Sequence, residues 1–235
     1  MLVINVQDMS ESFLAGRGVT RASTSQQVAD VIKEQLLLGQ VSPGTRLSDR
    51  ILAVDLQVSR NTVREAMTIL AAEGLVVKNL HKGVIVAELD LEELRDVYQA
   101  RRALELAGLR AGSATADQQW RQALDEALGN MREAAAAGDV KALLEGDRHF
   151  HEALIMPIGS KRVAAFYRKV QTEIRLTHAW YGAREESGIF LRRHQRIGDA
   201  VRAADYVLAE KLLSDVIDAG EERLRRQLQS PPGRA

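Results

Sequence analysis

The chain of 235 residues contains no cysteine, which removes disulfides, thiolate metal ligands and a cysteine nucleophile from consideration. That absence also fits a reducing cytosol. Proline is scarce at 4 residues, and aromatic residues make up only 4% of the chain. With so few helix breakers, a sequence rich in Ala, Leu, Glu and Arg leans towards helix. Neither sign of charge is in excess: 32 Lys and Arg face 32 Asp and Glu, for a formal net charge of +0. Residues 1–88 are balanced too, nine against nine, so affinity for nucleic acid has to come from local placement of charge. No apolar run approaches the roughly 18–20 residues that cross a bilayer. The opening MLVINVQDMSESFLAGRG lacks the basic start and apolar stretch of a signal peptide. A cytoplasmic protein with no membrane partner is expected. Phosphate-cradling loops of the GxGxxG or GxxxxGK[ST] type are missing as well.

What is present is concentrated first in residues 23–88. Ser25 or Thr24 can cap a helix with Val28, Val31, Ile32 and Leu36 at helical spacing, ended by Gly39. Residues 42–47 read as a turn. Ser48 caps a second, short helix expected to bury Ile51, Leu52 and Leu56, and Ser59 caps a third with Val63, Met67 and Leu70 as its inward stripe. Gly74 stops that helix. Residues 75–77 and 84–87 then read as strands around a tip of His81, Lys82 and Gly83. Two short helices across a tight turn, followed by a β-hairpin, form the pattern of a winged helix-turn-helix, which sets its second helix in the major groove of DNA. Arg60 and Arg64 lie four apart near the amino end of that helix and off its apolar stripe, with Asn61 and Thr62 in the same turn. An arginine fork there can bond O6 and N7 of guanine together. The competing reading is a pair of ordinary solvated arginines. The tip suits a phosphate or minor-groove contact.

Residues 1–22 read as a flexible arm and 89–230 as a helical domain. Helices are predicted over 90–114, 117–137, 139–155, 160–182, 188–203 and 205–229, a bundle large enough to enclose a ligand cavity. The expected fold class is therefore mainly α, with a small β wing and an all-α carboxy-terminal bundle. Asp147 and His151 share one helix face and His194 lies on a later helix; one carboxylate and two imidazoles can ligate Zn²⁺ or Ni²⁺. His149 points away from that face. The alternative is a helix-surface ion pair for Asp147 and His151 and a surface histidine at 194. Phe166, Tyr167, Trp180 and Tyr181 either line a cavity or form plain core.

The stretch PGTRL at 43–47, VSRNTVREA at 58–66, EGLV at 73–76 and the Gly83 tip resembles the GntR family of bacterial transcription regulators. The resemblance implies DNA contact from Arg50, Arg60, Thr62, Arg64 and the His81–Gly83 tip, with Ser59 and Asn61 in the same turn. Three positions depart from the family pattern: Asp49 stands for its usual Glu, Gln57 for a frequent Gly, and Thr62 for a common Pro. If the turn needs positive φ, Gln57 costs about 1 kcal/mol. The segments RRALE at 101–105, DRHFH at 147–151 and RHQRIGDAVRAAD from Arg193 resemble the FCD (FadR-type) effector domain. There an Asp and three His commonly hold a metal that helps bind a small carboxylate. Asp147, His151 and His194 match three of those positions, while the fourth falls near Val216, which cannot ligate. Asp215 beside it would face elsewhere, because a helix turns about 100° per residue. Arg101 is the implied partner of an anionic effector, or else a structural salt bridge. Together the resemblances imply a homodimeric repressor that releases operator DNA in response to a ligand, and not an enzyme. The rival is a metal-dependent enzyme using Asp147, His151 and His194; no HExxH and no placed general base support it.

Overall fold

The structure is a computed structural model that describes residues 23–80, 83–115, 118–181 and 187–229. The arm, and His81 and Lys82 at the wing tip, lie outside the described residues. The head begins with α1 (Thr24–Leu37), β1 (Arg46–Leu47), α2 (Asp49–Asp55) and α3 (Arg60–Ala72), and closes with β2 (Val76–Asn79) and β3 (Gly83–Val86). Side-chain caps fix where its helices start. Ser23 accepts from the Gln26 amide at 3.3 Å, Ser48 from Ile51 at 3.4 Å and Ser59 from Thr62 at 3.1 Å. The first cap is thus one residue ahead of the Thr24 or Ser25 expected from sequence. The strands pair antiparallel in the order β1-β3-β2, with Leu47 opposite Val84 and Val77 opposite Ile85. Strand β1 lies in the segment read as a turn.

Val28, Ile32, Leu36, Val63, Met67 and Leu70 bury together with Leu75, Val76 and Val86, as the helical spacing of α1 and α3 requires. The short helix α2 departs from expectation. Only its Ala53 is buried; Leu52 and Leu56 are half-buried, and Ile51 is 55% exposed. Two helical turns offer a single narrow contact face, and α2 spends it on α3 through Ala53. Val31 of α1 is exposed as well. The head's core takes one residue from far along the chain, Leu176.

Behind the head come α4 (Leu91–Thr115), α5 (Gln118–Ala137), α6 (Val140–Ile155), α7 (Lys161–Tyr181), α8 (Ser187–Arg202) and α9 (Tyr206–Gln229). Each lies within one or two residues of its sequence-predicted span. Trp120, Tyr98, Phe150, Leu124, Leu128 and Met131 are fully buried among them, each side chain contributing about 1.5–3 kcal/mol on leaving water. Glycine allows the tightest crossing. A Cβ on Gly108 of α4 would lie 2.2 Å from the Leu154 carbonyl oxygen, so α4 meets the backbone of α6 directly. That contact sets Arg101 and Glu105 of α4 against Asp147 and His151 of α6. Leu176 lies on α7, which therefore packs against both units. Among the described residues no helix is long and apolar enough to cross a membrane.

Candidate functional site

The head presents Arg50, Ser59, Arg60, Asn61 and Arg64 as exposed side chains, with Thr62 half-buried. Ser59 and Thr62 bond each other through their hydroxyls at 2.8 Å, and Asn61 donates to Glu65 at 2.9 Å. Arg60 and Arg64, 57% and 65% exposed, both reach across the turn to Asp49. The Nη2 of Arg60 lies 3.0 and 3.1 Å from the two Asp49 oxygens, and the Nε of Arg64 donates to Oδ2 at 2.7 Å. The bonds from Arg64 and then Arg60 hold the Asp49 carboxyl below its ordinary range. Gln57, in the turn between the helices, has φ +54°, so the departure from glycine falls at a left-handed position. Gly83 opens the second wing strand at φ +78°.

The second constellation is inside the bundle. Asp147 and His151 come from α6 and His194 from α8, and both histidines are only 1–2% exposed. That burial removes the surface-pair alternative for His151 and the surface-histidine alternative for His194. The Nε2 atoms of the two histidines are 3.2 Å apart, and Asp147 Oδ1 is 2.9 Å from His194 Nε2 and 3.4 Å from His151 Nε2. Ligand atoms about 2.0–2.2 Å from a common ion are themselves about 2.8–3.6 Å apart, from the shortest octahedral to the longest tetrahedral edge. The three separations fit that range. Moreover, Asp147 Oδ1 is buried with no hydrogen bond of acceptable direction, despite these short distances. Acceptor lone pairs that converge on one point, rather than pointing at donors, leave an oxygen in that condition. Outer contacts fix both rings: His151 Nδ1 donates to Glu105 Oε2 at 2.9 Å and His194 Nδ1 to the Phe190 carbonyl at 2.8 Å. Each Nε2 is thereby directed inward. His149 is exposed on the outer face, where its Nε2 accepts from Arg148 at 2.5 Å.

Arg101 is buried and belongs to the same network. Its Nε donates to Glu105 Oε1 at 2.6 Å and its Nη2 lies 2.7 Å from His151 Nε2. Burial opposes charge on Glu105, yet Arg101 and His151 outweigh it and hold the carboxyl at about 2. Asp147 is likewise held well below its usual range by the two imidazoles against the cost of burial. Tyr167 donates to Glu105 at 2.5 Å and accepts from Gln171 at 3.2 Å. Sequence reasoning offered Tyr167 only as cavity lining or core, noted Asp49 only as a departure from the family's usual Glu, and did not single out Glu105 or Gln171. Glu105 had a signal, standing four residues from Arg101 on one helix face. Phe166 is 54% exposed, and the Trp180 and Tyr181 side chains lie outside the described residues. Val216 is half-buried against the apolar core. A surface cleft of about 540 Å³ runs along α6 past His149, Lys161 and Arg168 and does not include the triad.

Residues 24–86 match the bacterial regulatory proteins of the gntR family, and residues 96–219 match the FCD domain. The chain is 28% identical over 204 residues to a protein of Paenarthrobacter nicotinovorans named "Probable D-xylose utilization operon transcriptional repressor", covering 86% of this chain and 88% of that one. It is also 28% identical over 154 residues to the gluconate operon transcriptional repressor of Bacillus licheniformis, across 65% of this chain and 63% of the relative. A solved structure of a GntR transcriptional regulator from Rhodococcus sp. RHA1 superposes with a TM-score of 0.72 at 33% identity, covering 86% of this chain and 97% of its own. The likeness to transcriptional regulators thus runs along nearly the whole length of the chain. The chain belongs to the GntR family of bacterial transcriptional regulators, with an FCD domain behind its DNA-binding head.

Proposed function

We propose that this regulator is a repressor whose grip on operator DNA is set by a small carboxylate effector bound within the helical body. The buried triad of Asp147, His151 and His194, with its unbonded Oδ1, is the observation that carries this reading. Those three residues would hold a divalent cation such as Zn²⁺ or Ni²⁺, which when bound would supply positive charge to attract a carboxylate. His151 Nε2 has a single lone pair, so it serves either Arg101 or an ion. Arg101 has five donors and spends two here, leaving others for an anionic ligand. Glu105 already neutralises part of its charge, which tunes the body towards a weakly held, releasable effector. The relatives named for D-xylose and gluconate operons favour a sugar-derived acid.

In the head, Arg60 and Arg64 would read base edges while Arg50, Ser59, Asn61, Thr62 and the tip from His81 through Lys82 to Gly83 set position on the backbone. A homodimer would present two heads to a two-fold symmetric operator. Residues 23–88 and 89–230 would then be the DNA-binding and effector-binding domains. The test combines two titrations. Purified protein stripped of metal should bind Zn²⁺ or Ni²⁺ calorimetrically, and His194→Gln should lose at least tenfold in that affinity. Fluorescence anisotropy on duplexes selected by the protein should then show release by sugar acids. If Arg60→Ala binds those duplexes as well as wild type, rather than about 1–3 kcal/mol more weakly, the readout assignment fails. If the stripped protein takes up no ion, the metal assignment fails.

A further inference from the structure

Asp49 is the residue that the head's geometry singles out and that no role assigned so far uses. It sits in the first turn of α2, eleven residues from Arg60 and fifteen from Arg64, and is reached by both only because α2 crosses the amino end of α3. Its carboxylate is about three-quarters covered, whereas both arginines remain mostly exposed. The atoms involved are not equivalent. Arg64 spends its Nε–H on Asp49 Oδ2 at 2.7 Å, which leaves the Nη1/Nη2 edge of its guanidinium unspent. That edge carries two parallel N–H groups at the spacing of guanine O6 and N7. Arg60 instead offers Nη2 to both carboxylate oxygens, at 3.0 and 3.1 Å. Asp49 therefore ties down the root of one guanidinium and the tip of the other.

We propose that Asp49 is a positioning residue for base readout, holding Arg64 by its Nε so that the free Nη1/Nη2 edge meets guanine. The idea rests on the reading that Arg64 contacts a base. A free arginine on a helix surface samples many rotamers, and ordering it on DNA costs affinity that a fixed one has already met. The carboxylate has a second effect. It cancels one of the two neighbouring positive charges, so that the pair is less adhesive towards phosphate, which is the same in every sequence. Both effects favour discrimination over raw affinity. The aspartate for the glutamate common in this family shortens the tether by one methylene without changing its chemistry.

The experiment uses the full-length protein. A randomised duplex pool is selected with wild type, and the recovered duplexes and an unselected pool are then titrated against Asp49→Asn, Asp49→Glu and Arg64→Ala. Asp49→Asn should lose about tenfold in its preference for selected over unselected DNA and should no longer enrich the guanine that wild type enriches. Its affinity for unselected DNA should hold or rise. Asp49→Glu should keep the preference. A purely structural role for Asp49 in capping α2 would lower the melting temperature and weaken both kinds of DNA alike, leaving the ratio unchanged. If Arg64→Ala abolishes the guanine preference and Asp49→Asn does not, the positioning role is overturned while the Arg64 reading stands. If Arg64→Ala retains the preference, both are overturned.

Discussion

Adding one methyl group at Gly108 sets two well-known effects against each other. Gly108 is inside α4, where alanine is favoured over glycine by about 1 kcal/mol from helix propensity alone. Its added Cβ, however, would lie 2.2 Å from the Leu154 carbonyl oxygen, 2.7 Å from Ile155 Cα and 2.9 Å from the Leu154 carbonyl carbon, all of them backbone. Close-packed helices cannot open by the required ~1 Å at no cost, and overpacking of this kind costs about 3 kcal/mol at the upper end of its range. The clash wins, for a net loss of about 2 kcal/mol, or roughly 4–8 °C in melting temperature for a domain of this size. Gly129 supplies the internal control. It lies in α5 with nothing within 4 Å of its added Cβ, so Gly129→Ala should gain up to about 1 kcal/mol from propensity. Gly108 is one turn from Glu105, and Leu154 one turn from His151, so the wedge should also loosen the 2.9 Å contact between them. Thermal melts and urea titrations of both variants test this. A Gly108→Ala protein as stable as wild type, beside a stabilised Gly129→Ala, would refute direct backbone contact between α4 and α6.

Gln57→Gly should stabilise the head by a few tenths to about 1 kcal/mol, since its φ of +54° strains any residue with a Cβ, and a rise in melting temperature with unchanged DNA affinity is the check. Burial, then Arg101 and Arg223, push the His178 imidazole from 6.5 down to about 4, while its Nε2 lies 3.4 Å from the Tyr98 hydroxyl. The unfolded chain takes up that proton near 6.5 and the folded chain only near 4, so stability is full above 6.5 and falls by up to about 3 kcal/mol as pH drops to 4. His178→Gln should flatten that part of the slope; equal slopes for the two proteins in calorimetric melts at about pH 7 and about pH 5 would contradict the burial. Glu105→Gln should leave Arg101 and His151 without their shared carboxylate and cost about 3–5 kcal/mol, read by chemical denaturation.

Helix starts were legible because the chain announces them: Ser48, Ser59 and Asp139 each cap through their own side chain, a contact that spans only three residues. Strand β1 was not legible, since two residues, Arg46 and Leu47, are too few for any alternation to show. The triad could be assembled from spacing because Asp147 and His151 share a helix face and the matching of segments added His194. The contacts that organise it were hidden for a different reason. Tyr167 reads as core at helical spacing, and nothing local reveals that its hydroxyl ends on Glu105. Asp49 likewise gains its meaning only where two helices cross. The exposed Ile51 reflects the same limit, as periodicity finds an apolar stripe but not how much of it a seven-residue helix can cover.

Leu176 makes the two halves inseparable in a mechanical sense. Tyr167 and Gln171 touch the inner polar network from the same rod that, about 8–14 Å further along its axis, plugs the core of the winged head. A rigid lever pinned at both ends transmits a tilt without any loop having to rearrange. A head cut away at residue 88 would lack that plug and carry a hole where a leucine belongs.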